Sequence, residues 1–78
     1  MKSVTVYSTP TCGYCKLTKA FLDEHKISYT NKDVSVDTQA QEEMIQKSGQ
    51  MGVPVIDIDG SIIAGFYKTA LSKKLGIA

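Results

Sequence analysis

Apolar and polar residues alternate along two stretches in the first half of the chain. In KSVTVYS, Val4 and Val6 fall on one side and Tyr7 on the other, and ISYTNKDV alternates in the same way. A period of two residues is typical of a β-strand. The pattern therefore predicts one strand over about residues 3–7 and a second over about 27–34.

Helical spacing separates these two stretches. After Cys12 the apolar residues Leu17, Ala20 and Phe21 recur at intervals of three and four, which predicts a helix over about residues 13–25.

Two further helices are predicted in the second half of the chain. Asp37 is suited to cap TQAQEEMIQKS, which ends at Gly49, where a left-handed residue commonly stops a helix. Its inner stripe comprises Ala40, Met44 and either Ile45 or Ser48. The segment KTALSKKLG predicts a short last helix, with Leu71 and Leu75 one turn apart and Gly76 as its stop.

The stretch GVPVIDIDGSIIAG indicates a β-hairpin. The third strand is expected from Val53 to Ile58, followed by an Asp59-Gly60 turn, a fourth strand SIIA, and Gly65 as its end. The element order is then β-α-β-α-β-β-α. This order predicts an α/β fold in one domain, residues 1–78, with a four-stranded mixed sheet and three helices.

Composition and charge exclude several classes of function. The 78 residues are 42% hydrophobic and 22% charged, and the formal net charge is +1. No basic stripe suits nucleic acid, and no apolar run approaches the roughly 20 residues of a membrane span. The N-terminus also lacks the long apolar block of a signal peptide. We therefore expect a cytoplasmic protein that binds neither nucleic acid nor membrane.

The candidate chemistry lies in TPTCGYC, which holds both cysteines of the chain. Residues three apart on a helix are neighbours on one face, so the two sulfurs can meet. Cys12 is expected at the helix N-terminus, where free backbone N–H groups favour a thiolate. Cys15, one turn further in, is expected to be buried. The spacing therefore assigns attack on a disulfide to Cys12 and resolution of the mixed disulfide to Cys15.

Two other uses of a cysteine pair fit less well. A zinc site needs four ligands, and the one histidine, His25, lies at the far end of the same predicted helix. A structural disulfide closing so short a loop would constrain the chain little. A CxxC pair between a strand and a helix in a βαβ pattern instead favours redox chemistry.

The stretches VTVYSTPTCGYCKLTKAFL, GVPVIDIDG and IAGF together resemble a glutaredoxin over nearly the whole chain. The resemblance implies a thioredoxin-like fold and reduction of disulfides or glutathionylated proteins with glutathione, by a monomer without metal or prosthetic group. It implies a cis bond at Val53–Pro54 beside the cysteines. It also implies a set of glutathione-binding residues, Thr11, Tyr14, Val53, Pro54, Gly65 and Phe66.

Several positions depart from the glutaredoxin pattern. Many members have Lys or Arg in place of Thr9, Arg in place of Met51 and Thr in place of Gly52. The residues at the end of the fourth strand and after it are AGFYK, where the family commonly has Gly-Gly followed by Asp. Gly-Phe at that point is similar to the NrdH redoxins, which take electrons from thioredoxin reductase. Gly13 replaces the common proline, and in some members a small residue there accompanies a [2Fe–2S] cluster held between two protomers. Two alternatives therefore stand beside the glutathione-linked reductase: an NrdH-like redoxin and a cluster carrier.

Overall fold

The computed structural model describes residues 3–50 and 52–76. The predicted element order β-α-β-α-β-β-α is confirmed. In chain order the elements are β1 (Val4–Ser8), α1 (Gly13–Glu24), β2 (Thr30–Asp33), α2 (Thr38–Ser48), β3 (Val55–Ile58), β4 (Ser61–Ala64) and α3 (Lys68–Leu75).

The four strands form one mixed sheet in the order β2-β1-β3-β4. β1 runs parallel to β2, with α1 as the connection between them, and antiparallel to β3, while β3 and β4 form the predicted hairpin. Tyr7 of β1 pairs with Val55 of β3. This register brings the end of β1, from which the chain leads to Cys12, next to the start of β3.

Each face of the sheet is covered by helices. On one face, α1 and α3 contribute Phe21, Leu22 and Leu71 to a cluster with side chains from β1, β3 and β4. On the other face, Ala40 and Met44 of α2 pack around the buried ring of Tyr7. Because β1 and β3 are buried on both faces, the middle of the sheet is a rigid support for the loops at its end.

The buried face of α1 does not coincide with its apolar residues. Leu17 and Ala20 are exposed, and the buried side chains are Cys15, Thr18, Phe21 and Leu22. Residues 15, 18 and 22 follow helical spacing, but two of them are not strongly apolar, so a hydrophobic count overlooked them. The Thr18 hydroxyl is satisfied inside the helix, where it donates to the Tyr14 carbonyl over 2.9 Å.

The second strand is shorter than expected because the end of α1 takes part of its sequence. Lys26 has a φ of 56° and its N–H bonds the Asp23 carbonyl, while the Ile27 N–H bonds the Leu22 carbonyl over 2.9 Å. These two bonds make a Schellman motif, which Ile27 completes by packing on the cluster that contains Leu22. The first alternating residues thus close a helix, and β2 starts only at Thr30.

The third strand begins at Val55 rather than at the predicted Val53. Proline has no N–H to give to the ladder, so Pro54 ends the pairing with β1 before Val53. The turn after the strand is as predicted, because Asp59 and Gly60 both have positive φ values, 52° and 91°.

The ends of α2 and α3 follow the sequence signals. Asp37 accepts a hydrogen bond from the Ala40 N–H over 3.1 Å, and Gly49 and Gly76 end their helices in the left-handed conformation. Met44 is buried as expected, whereas Met51 lies outside the described residues. Within residues 3–50 and 52–76, no helix has the length and apolar character needed to cross a membrane.

A polar network ties α2 to the sheet. The buried Tyr7 hydroxyl donates to Glu43 and accepts from Lys47 Nζ over 3.2 Å. Lys32 binds Glu43 at 2.9 Å and Lys47 binds Asp57 at 2.7 Å. Hydrogen bonds from Tyr7 and Lys32 lower the pKa of Glu43 to about 2.

The lowered pKa of Glu43 predicts how stability depends on pH. An unfolded Glu titrates near 4.5, so its contribution to folding is complete above that pH and is lost as pH falls from about 4.5 to about 2. We expect the free energy of unfolding of Glu43→Gln, measured in denaturant, to fall less over this window than that of the wild type. Glu42→Gln removes an exposed carboxylate on the same helix and should keep the wild-type decline. Equal declines in both variants would contradict the prediction.

Candidate active site

The sulfur of Cys12 lies at the start of α1. Cys12 is the N-cap residue, and its Sγ accepts a hydrogen bond from the Cys15 N–H over 3.1 Å. A sulfur is thus in the place that a serine or aspartate oxygen takes at other helices. The helix start presents backbone N–H groups and the positive end of its dipole to this sulfur, both of which favour a thiolate. The predicted position of Cys12 is confirmed.

Cys15 differs sharply from Cys12, although both are free thiols. Its side chain is 0% exposed, whereas Cys12 is only half-buried. Burial, and next its hydrogen bond with Cys12, raise the pKa of Cys15 to about 12. This raised pKa keeps Cys15 protonated at neutral pH, and its predicted burial is confirmed.

The Val53–Pro54 loop faces the first cysteine. The bond between these residues is cis, as the resemblance implied, and the Val53 carbonyl oxygen lies 3.9 Å from Cys12 Sγ. The Pro54 carbonyl accepts from the Gly65 N–H over 2.8 Å, which ties the loop to the end of β4. Among the described residues, none accepts a hydrogen bond from the Val53 N–H. This main chain can therefore pair with an extended peptide, as a further strand would.

A groove of about 300 Å³ runs beside this loop. Five of the residues that line it were predicted to bind glutathione, and Tyr67 completes the lining: Tyr14, Val53, Pro54, Gly65, Phe66 and Tyr67. Phe66 serves two purposes, because it lines the groove and also packs on the core, with its ring 6.2 Å from that of Phe21.

Sequence reasoning missed Tyr67 as a groove residue. Its ring lies against the backbone of Gly65, where an added Cβ would come within 2.8 Å of Tyr67 Cε2. Gly65 has a φ of 117°, so both its backbone and its bare α-carbon suit glycine alone. A second aromatic residue directly after Gly-Phe was the signal available in the sequence.

Thr11 is the one predicted glutathione-binding residue that does not line this groove. It lies exposed in the turn before α1, next to Cys12, and its role stays a prediction. Gly13 is not required by packing, because an added Cβ would meet no atom within 4 Å.

Charge is sparse around the groove. None of the residues that line it carries a charged side chain. The exposed Lys68 directly follows the groove residue Tyr67, and the exposed Lys16 comes two residues after Tyr14. Acidic residues that could hold an ammonium group are absent from the lining.

Two other features were considered as sites. A depression of about 570 Å³ lies at the far end of α1, lined by Asp23, Lys26, Ile27, Ser28 and Tyr29, but neither cysteine lines it. His25, also at that end, is exposed and stacks on Phe21 with ring centres 4.6 Å apart. Within the part of the chain that the structure describes, no three His, Cys, Asp or Glu side chains are grouped to hold a metal ion.

The fold and the cysteine pair define a thiol–disulfide oxidoreductase with a thioredoxin-like fold, and comparison with known proteins agrees. The glutaredoxin family model matches residues 4–63. The chain belongs to the glutaredoxin family.

Named relatives come from two branches of that family. An uncharacterized glutaredoxin-like 8.6 kDa protein in the rubredoxin operon of Clostridium pasteurianum is 47% identical over 70 residues, covering 90% of this chain and 93% of the relative. Glutaredoxin 3 of Escherichia coli K12 is 37% identical over 65 residues, covering 83% and 78%. The glutaredoxin-like protein NrdH of Lactococcus lactis subsp. cremoris is 37% identical over 73 residues, covering 90% and 96%.

Solved structures show the same fold. A mutant of the thioredoxin-like protein BC3987 superposes with a TM-score of 0.93 at 32% identity, covering the whole of both chains. A buckwheat glutaredoxin in complex with glutathione gives a TM-score of 0.76 at 25% identity, covering 97% of this chain and 72% of that one. The two structures differ from this chain in most residues, yet the fold is retained.

The unequal burial of the two thiols predicts unequal alkylation. At pH 7 to 8 we expect iodoacetamide to modify Cys12 and to leave Cys15 intact, because the raised pKa and burial of Cys15 keep it an inaccessible thiol. Peptide mapping by mass spectrometry identifies the labelled residue. Protein unfolded in guanidinium is the control and should be labelled at both positions. Labelling of native Cys15 as fast as Cys12 would show that the asymmetry is wrong.

Proposed function

We propose that this protein is a glutathione-linked oxidoreductase that reduces disulfides and glutathionylated thiols through Cys12 and Cys15. The observation that carries the proposal is the Cys12 sulfur, which accepts a helix N-terminal hydrogen bond at 3.1 Å while its neighbouring main chain at Val53 borders an open groove. A nucleophile and a place for its substrate thus adjoin each other.

In the first step the Cys12 thiolate attacks one sulfur of the substrate disulfide. A bond forms between Cys12 and that sulfur, the substrate disulfide breaks, and the other sulfur leaves as a thiolate that takes up a proton. The helix N–H groups hold the charge on Cys12 before the attack. The substrate backbone pairs with Val53, which orients its disulfide towards Cys12.

In the second step Cys15 resolves the mixed disulfide. It loses its proton, attacks Cys12 Sγ, and releases the second substrate sulfur as a thiolate that is protonated in turn. The substrate has then gained two electrons and two protons, and the protein holds a Cys12–Cys15 disulfide. Two glutathione molecules restore the dithiol and leave as glutathione disulfide. For a glutathionylated protein, glutathione itself can replace Cys15 in attacking the Cys12 adduct.

The main chain around the groove offers glutathione more binding partners than the side chains that line the groove. The Val53 backbone can bind the extended tripeptide, and Tyr67 makes no side-chain capping bond at the start of α3, which leaves N–H groups there for a carboxylate. The related buckwheat protein was solved with glutathione. However, position 9 is Thr9 rather than a lysine, and no acidic residue lines the groove. We therefore propose weak, poorly saturating use of glutathione.

A second candidate is an NrdH-like redoxin that is reduced by thioredoxin reductase. The uncharged groove with Gly65, Phe66 and Tyr67 favours it, since it offers few partners for the charges of glutathione. The similarity to NrdH of Lactococcus lactis also covers nearly all of that relative.

We further propose a cytoplasmic monomer that works without metal or prosthetic group. Cytoplasmic reductants keep such dithiols reduced, and the exchange steps above need only thiols. The cluster carrier suggested by Gly13 would instead use Cys12 as a ligand in two copies. Visible absorbance after anaerobic purification would favour that carrier.

The roles of the two cysteines predict different products with glutathione disulfide. Cys15→Ser should accumulate a stable glutathione adduct on Cys12, because the resolving thiol is gone. Cys12→Ser should form no adduct, because Cys15 is buried and protonated. Intact mass spectrometry of both variants measures this. An adduct on the Cys12 variant alone would reverse the assignment.

The missing charge at Thr9 predicts a gain from Thr9→Lys. A lysine there can bind a glutathione carboxylate, and one such bond in a partly exposed site corresponds to about a tenfold lower KM for glutathione. Turnover is measured with glutathione and glutathione reductase. Thr38→Lys makes the same change at an exposed position on α2 and should leave KM unchanged.

The same assay separates the two candidate functions. A parallel reaction supplies thioredoxin reductase in place of glutathione and its reductase. Turnover with glutathione supports the proposed glutathione-linked oxidoreductase. Turnover only with thioredoxin reductase contradicts that proposal and supports the NrdH-like redoxin.

A further inference from the structure

Exposed apolar side chains are concentrated around the cysteine pair. Large hydrophobic residues with most or about half of their surface exposed in the described chain are Tyr14 at 65%, Leu17 at 52%, Val36 at 81% and Tyr67 at 62%. Tyr14 and Tyr67 line the groove beside Cys12, and Leu17 follows Tyr14 by three residues on the same side of α1. Val36 alone lies elsewhere, in the loop before α2.

Tyr14 joins two depressions of the surface. One is the groove that Tyr67 also lines, and the other, of about 400 Å³, is formed by Gly13, Tyr14 and Leu17. Leu17 does not line the groove, and it lies five residues beyond Cys12, about 7.5 Å further along the helix axis. A tripeptide bound along Val53 towards α3 would therefore leave Leu17 uncovered.

The charged residues that directly adjoin this surface in sequence are both lysines. Neither depression is lined by a charged side chain, but the exposed lysines Lys16 and Lys68 directly adjoin Leu17 and Tyr67 in sequence. A matching partner would have an apolar centre and acidic residues at its edges. Exposed tyrosines with an apolar neighbour are typical of the centre of protein interfaces.

We propose that Tyr14, Leu17 and Tyr67 form a docking surface for a substrate protein that presents its disulfide on an extended, apolar segment with acidic ends. This inference rests on the proposed function, since it names the substrate class of the same Cys12. The surface is continuous with the groove in which the disulfide reacts. In the substrate, the apolar side chains on one side of its reacting cysteine cover Tyr67, and those on the other side cover Leu17.

Two synthetic disulfides test the surface. Each probe consists of two identical peptides that end in glutamates and are joined by a disulfide between their single cysteines. In the apolar probe the cysteine is flanked by leucine and phenylalanine. In the serine probe it is flanked by serines. Pre-reduced protein is mixed with excess peptide disulfide and quenched with acid, so that a single turnover is followed without any external reductant. The half-saturating peptide concentration and the maximal rate are measured separately.

We expect the wild type to reach half-saturation at a lower concentration of the apolar probe. Leu17→Gln should raise that concentration about tenfold, while the maximal rate and the values for the serine probe stay unchanged, and Tyr67→Ser should raise it as well. Ala20→Gln and Val36→Ser are matched controls at exposed positions that line neither depression. Both should behave as the wild type does.

The outcomes separate this inference from the proposed function. Equal half-saturation of the wild type by the two probes, or unchanged values in both variants, overturns the docking surface while leaving the oxidoreductase in place. Failure of the wild type to reduce either probe would overturn the proposed function itself, and the docking surface with it.

Discussion

The hydrogen bond from the Cys15 N–H to the Cys12 sulfur depends on a single geometric fact, the start of a helix at Gly13. The first N–H groups of a helix have no partner within it, so they are available to a group placed at the N-cap. A sulfur in that place gains a donor and the positive end of the dipole. One turn further on, the same helix turns Cys15 into the core. The two thiols therefore differ because one lies at the helix N-terminus and the other is buried, and burial is the largest cause of the raised pKa of Cys15.

The sheet determines what this sulfur faces. β1 leads directly into the loop that carries Cys12, and its antiparallel pairing with β3 places Val53 and Pro54 at the same end of the sheet. Because both central strands are covered on two faces, these loops are held by a packed core of helices and strands. The groove follows from this arrangement, and no charged side chain lines it.

Much of the fold could be predicted because local signals coincided with the global arrangement. The alternation around Val4, the Asp59-Gly60 turn and the Asp37 cap each involve neighbouring residues, and each was found as predicted. Position and spacing likewise located both cysteines. The second strand was overextended because Ile27 belongs to a helix stop formed with Leu22, and such a stop with Lys26 in place of glycine has no clear sequence signature.

Two side chains show what the sequence could not give. Leu17 is apolar yet exposed, because only packing against the sheet decides which face of α1 is buried. Tyr67 was overlooked because its ring reaches the groove by folding onto Gly65, a contact that depends on the backbone of both residues. In both cases the residue type was informative, but its direction required the structure. Both side chains are exposed, and Tyr67 lines the groove beside Cys12.

The central claim is that Cys12 and Cys15 form one reversible dithiol, in which a half-buried sulfur at the helix N-terminus attacks and a fully buried one resolves. Equilibration of the protein in glutathione buffers of stepped redox ratio, acid quenching and intact mass spectrometry with peptide mapping test it most directly. The account predicts a species that lacks two hydrogen atoms, carries a Cys12–Cys15 disulfide and returns fully to the dithiol in reducing buffer. Absence of that species at every ratio, with only glutathione adducts or unchanged protein present, would contradict it.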